Sequence, residues 1–248
     1  MTGLSDLGWL AAPVAALIAA CALLLPLGRQ VLARGVVFID LAVAQVAALG
    51  VLVAGHGLQD AHAVVGWLAS ALAALTGSAV VWWLARRWPG QREALIGLVY
   101  VGAACACVVA VAADPHGREK LSVLLAADVL WVSWGAVLAL AAAAVVVVLA
   151  GRHSGLARDA VFYPAFALAL SVAVQALGLY LVFALLIGPA LWTRRGLSMA
   201  RTTAAAIAAC FTGLALSWAL DWPSAATVAL AVSALGLASL AGRQPVED

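Results

Sequence analysis

The sequence predicts an all-α polytopic integral membrane protein, a helical bundle of eight or nine spans with one short or broken helix. Composition points there first: 67% of the 248 residues are apolar and 10% are charged, whereas soluble domains carry about 25% charged residues. Mean hydropathy is +1.12. Apolar runs of roughly 20 residues recur from end to end, each long enough to cross a ~30 Å hydrocarbon core as a helix. Basic residues, finally, fall in alternate loops. A net charge of +2 without a basic stripe argues against nucleic-acid binding. No soluble domain interrupts the pattern, so residues 1–248 read as a single transmembrane domain.

Taken in order, the spans fall at about 8–27, 36–54, 63–85, 94–113, 134–150, 160–177, 178–193, 202–220 and 224–241. The first is read as retained. Its IAAC, Ile18 to Cys21, imitates a lipoprotein cleavage box, but no Lys or Arg precedes it, as a secretory signal requires. Arg29 and Arg34 follow the first span, Arg86, Arg87 and Arg92 the third, Arg152 and Arg158 the fifth, and Arg194, Arg195 and Arg201 the seventh. The positive-inside rule then places these loops in the cytoplasm, the N-terminus outside and the C-terminus inside. The run from Ala160 to Trp192 is too long for one ordinary span. A break near Gly178 keeps Arg194 and Arg195 with the other basic loops. Leu121 to Ser133 is shorter and carries Asp128, which makes it a re-entrant or interfacial segment. Cys21, Cys105, Cys107 and Cys210 all lie in apolar runs and read as packing residues rather than a disulfide set.

The second span carries the least expected residues. In RGVVFIDLAVAQVAALG, Asp40 and Gln45 stand within an apolar run, and an ionised carboxylate inside a bilayer costs about 2.5–3.5 kcal/mol on the insertion scale. Two readings stand: Asp40 faces a transport path, or it sits near the headgroups neutralised by Arg34. Further on, Pro189 removes a helix hydrogen bond and frees the Leu185 carbonyl, while Gly178 and Gly188 permit close approach and bending. The loops containing His56, Asp60 and His62, and His116 with Asp114, could sample a borderline cation, or hold ordinary solvated polar residues.

Three blocks resemble a known family. RGVVFIDLAVAQVAALG, GLYLVFALLIGPALWTRR and DWPSAATVAL are similar to the second-span region, a late glycine–proline block and the last-span opening of permeases from zinc- and manganese-type metal-ion ABC importers. REALIGLVYVGAACA and LLAADVLWVS lie in order between them, so the likeness runs from about Pro26 to Leu240. The resemblance implies a permease without an ATPase site of its own, in the inner membrane, with a divalent metal ion as substrate and no permanently bound cofactor. It implies three partners besides lipid: a second copy of the chain, a cytoplasmic ATPase dimer and an extracytoplasmic metal-binding protein.

The family places an aspartate and a histidine four residues apart on the second span. Here Asp40 and Gln45 are five apart, and an amide oxygen is a harder donor than imidazole. On this reading Asp40, Gln45 and Asp128 belong to the transport pathway, and Gly178, Gly188 and Pro189 form a helix break or gate. His56, Asp60, His62 and His116 are candidate metal contacts. Within GRHSGLARDAVFYPAF, Arg158, Asp159, Phe162 and Tyr163 are the expected ATPase contacts, on a short helix that Pro164 separates from the next span. The competing reading is a secondary ion- or proton-coupled carrier relaying through Asp40 and Asp128.

Overall fold

A computed structural model describes residues 8–57, 63–112, 117–152 and 155–239. Ten α-helices follow one another: α1 (Ala11–Arg34), α2 (Ile39–Gly57), α3 (Ala63–Arg87), α4 (Arg92–Ala110), α5 (Gly117–Leu125), α6 (Trp134–Arg152), α7 (Asp159–Leu177), α8 (Leu179–Arg194), α9 (Met199–Leu220) and α10 (Ser224–Ala238). Six stretches are long and apolar enough to cross a membrane. Segments within α2, α8 and α10 are apolar but shorter. Against the expected eight or nine spans, the described residues hold six helices long and apolar enough to cross, together with α2, which is 19 residues long as a whole, and the shorter apolar helices α8 and α10. At nine residues, α5 extends only about 14 Å and cannot cross.

Packing divides the helices into two groups. One holds α2, α3 and α4; the other holds α1, α6, α8, α9 and α10. Between them α7 packs against α3 and α6. With no hydrophobic force acting between helices in lipid, small residues decide how closely these surfaces approach. A methyl group on Gly28 of α1 would collide with the Leu186 carbonyl of α8. One on Gly236 of α10 would lie 2.8 Å from the Gly188 Cα of α8. Outward faces of α4 and α6 are apolar, with Val109 and Leu138 mostly exposed.

The long apolar run breaks where expected. α7 ends at Leu177, and Gly178 takes φ 78, ψ 159, a positive φ that a side chain rarely tolerates. Space forbids one as well, since a Cβ at Gly178 would sit 2.5 Å from the Ala127 amide nitrogen. Pro189 lies inside α8 without ending it.

Pro164 behaves differently from expectation. α7 runs unbroken from Asp159 to Leu177 with Pro164 inside it, so there is no separate short helix. As the sixth residue of α7, Pro164 denies the Ala160 carbonyl its helical donor, yet the helix continues through it.

Candidate functional site

The two ends of the bundle are chemically distinct. At one end Arg29 and Gln30 of α1, Arg152 of α6 and Arg194 of α8 line adjoining recesses. Arg34 meets Asp159 there. The opposite end, one length of α7 or roughly 28 Å away, holds Asp128 beside the start of α10. The basic residues that follow the first, fifth and seventh expected spans therefore gather at one end of the bundle; Arg118 and Lys120 of α5 are exceptions to the alternation.

Asp40 lies in the first turn of α2 at the arginine end and is 1% exposed. Neither carboxyl oxygen has a hydrogen-bond partner of good geometry; the nearest donors are the N–H groups of Asp40 itself and Leu41. Arg34 does not neutralise it. All three guanidinium nitrogens of Arg34 are engaged elsewhere, which overturns the headgroup-pair reading of Asp40. Nε donates to Asp159 Oδ1 at 3.2 Å, Nη1 to Gln30 Oε1 at 2.7 Å, and Nη2 to the Leu156 and Ala157 carbonyls at 2.9 and 3.1 Å.

Gln45, 5% exposed, lies further along α2, where its backbone carbonyl accepts a long bond from the Cys107 thiol of α4 at 3.6 Å. Beyond these two the structure adds residues that sequence reasoning missed. Glu93, in the first turn of α4, accepts from the Val37 amide at 3.0 Å through Oε1, while its Oε2 is buried without a partner. Ser70 of α3 is also buried with its hydroxyl unpaired, on the stretch of α3 that meets Gly50. The signal was present in REALIGLVY, whose acid begins a span as Asp40 does. A carboxylate at a helix start reads as ordinary dipole pairing, which masked it.

Asp128 is not part of this set. It caps the 3-10 turn Val129–Trp131, accepting from the Leu130 amide at 3.1 Å and from the Ser224 hydroxyl at 2.6 Å. Ser224 in turn accepts from the Val129 amide at 2.9 Å. The acid expected as a pathway or relay group is thus an exposed clasp between that turn and α10. Its partner belongs to DWPSAATVAL, so that block has a structural task. Asp221 takes a left-handed φ of 52 at the end of α9, and the Ser217 hydroxyl donates to the Trp222 carbonyl at 2.7 Å.

The expected ATPase contacts separate into two classes. Arg158 and Asp159 are exposed, as are Ala160 and Val161. Phe162 is fully buried and Tyr163 nearly so. Phe162 stacks on Phe166 with centroids 5.3 Å apart, and the Arg34 guanidinium lies 4.0 Å over its ring. Those aromatics are core, not surface anchors, because a continuous α7 turns their face inward. Beside them a recess of about 240 Å³ opens between α3 and α7, lined by Ser78, Trp82, Tyr163 and Pro164 among others.

Gly188 is the contact point of α8 with α10, and Gly178 and Pro189 stand as described. His56 belongs to the last turn of α2, whereas Asp60, His62 and His116 lie outside the described residues. Among the described residues no three His, Cys, Asp or Glu side chains gather as a metal cluster. All four cysteines are free. Cys21 and Cys210 face each other across α1 and α9 with sulfurs 4.0 Å apart.

Comparison with known proteins bears on the whole. The model of a family described as the ABC 3 transport family matches residues 156–243. No curated protein matches. Among solved structures, PsaBC from Streptococcus pneumoniae in complex with Fab has a chain with 14% identity and a TM-score of 0.75. That alignment covers 96% of this chain and 93% of the other; at such identity it speaks for the fold alone. The ABC 3 transport pattern over residues 156–243, together with a fold shared along nearly the whole chain, agrees with the resemblance to an ABC permease.

Proposed function

We propose that this chain is the membrane subunit of an ATP-driven importer that moves a divalent transition-metal ion, zinc or manganese, across the inner membrane. The observation that carries the reading is the ABC 3 match over residues 156–243, which takes in α7 and the exposed strip that opens it. Two copies of the chain pair about a two-fold axis. An ATPase dimer sits against the arginine end, on Ala157 to Val161. A metal-binding protein delivers the ion at the Asp128 end. Arginine-rich loops place the first end in the cytoplasm.

Along the route, the buried acid of α2 offers the ion a carboxylate, with the Gln45 amide further along. Both are oxygen donors, and they suit manganese better than zinc, whose strong ligands are imidazole and thiolate. A transit site also benefits from weak ligation, because a closed cage would retain the ion.

Reconstitution in proteoliposomes tests this. Uptake of manganese or zinc should require ATP and the ATPase, and the dimeric permease should co-purify with two ATPase copies. Uptake driven by an ion or proton gradient without ATP would instead establish a secondary carrier.

A further inference from the structure

Two of the three guanidinium nitrogens of Arg34 are spent on one stretch of chain that lies far from it in sequence. It ends α1, its side chain is 14% exposed, and it holds the segment 156–159 from three directions. Its Nη2 bonds the Leu156 and Ala157 carbonyls, its Nε pairs with Asp159, and its flat face covers the Phe162 ring. Gln30, one turn back on α1, fixes the remaining nitrogen. Leu156 is itself buried, so the segment is seated as well as tied. Ala157 to Val161, the exposed strip, lies directly outside this clasp.

We propose that Arg34 is a positioning residue that transmits displacement of the 155–159 segment into the bundle. The proposal rests on the reading that the ATPase presses on this strip. Movement of the segment draws on the C-terminus of α1 through the guanidinium. α1 passes the length of the bundle and touches α8 backbone to backbone, at Gly28 and Leu186, so it cannot shift without engaging α8. Lysine cannot replace arginine here. A single ammonium can meet Asp159 but cannot also bridge two carbonyls in a plane and lie flat on an aromatic ring.

The test uses the full permease with its ATPase in proteoliposomes. Three quantities are read: ATPase retained on purification, ATP hydrolysed, and metal taken up per ATP. Arg34→Lys should keep its ATPase and its hydrolysis while uptake per ATP falls about tenfold. Should Arg34→Ala fail to fold, Arg34→Lys, which keeps the charge, carries the experiment. An unchanged uptake per ATP in Arg34→Lys would overturn the proposal. So would loss of the ATPase from that variant, which would make Arg34 part of the docking surface instead. The docking reading is tested apart from this by Val161→Asp, on the exposed strip. That variant should shed the ATPase, and if it does not, the ATPase docks elsewhere.

Discussion

Replacing Asp40 with leucine should stabilise this protein and stop it transporting. Leucine keeps the branched skeleton of aspartate and removes its charge and polarity, although its two methyl groups are bulkier than the carboxyl oxygens. Asp40 is 1% exposed and neither of its oxygens has a well-formed hydrogen bond. A buried polar group left in that condition costs about 1–3 kcal/mol. Removing that cost should raise the melting temperature on the order of 5 °C for a chain of this size. The assay pairs two measurements on one preparation: heat-induced loss of the monodisperse peak in detergent, and metal uptake after reconstitution. A gain in stability with loss of uptake marks a residue kept for function at the expense of the fold. A leucine variant and an Asp40→Ala variant that both melt several degrees lower would show that Asp40 has a native partner and refute the reasoning. Normal uptake would show equally that the carboxylate is off the ion's route.

Three further substitutions probe the structural readings. Phe162→Ala should lower stability by about 3–5 kcal/mol, the range for emptying a buried aromatic site; ATPase binding below the melting temperature should survive, as co-purification in the cold would report. Gly178→Ala combines a positive φ with a 2.5 Å approach to Ala127. It should cost at least about 1–3 kcal/mol, seen as a lower melting temperature. Ser224→Ala removes a donor to Asp128 and an acceptor for Val129, costing about 1–3 kcal/mol. Faster amide exchange confined to 126–132 would reveal it.

Much of the architecture was legible because hydropathy and charge are one-dimensional signals. The break at Gly178 could be read from the length of its run and the sign of the following arginines. Span lengths were less legible, since apolar residues in turns and short helices look the same as those in spans. Asp40 and Gln45 stood out as polar residues in an apolar helix, and both are buried as that anomaly suggested. Glu93 did not stand out, for an acid at a helix start is unremarkable until a neighbouring helix covers it. Phe162 and Tyr163 were misplaced because Pro164 was read as a boundary; it removes one helical hydrogen bond, but α7 runs on through it. The partners of Arg34 and Asp128 lie roughly a hundred residues away in sequence, where no local pattern can reach.

The glycine contacts of α8 carry a mechanical consequence. On one side its backbone meets α1 at Gly28, and on another it meets α10 through Gly188 and Gly236. Each of these approaches is possible only because one partner lacks a side chain. Lifting α8 away would forfeit close contact on both flanks at once. Travel along its own axis would bring the side chains that flank each glycine against the facing backbone, as teeth resist a rod drawn across them. The glycines thus set the register of α8 as well as its distance, and a displacement of α8 carries α1 and α10 with it.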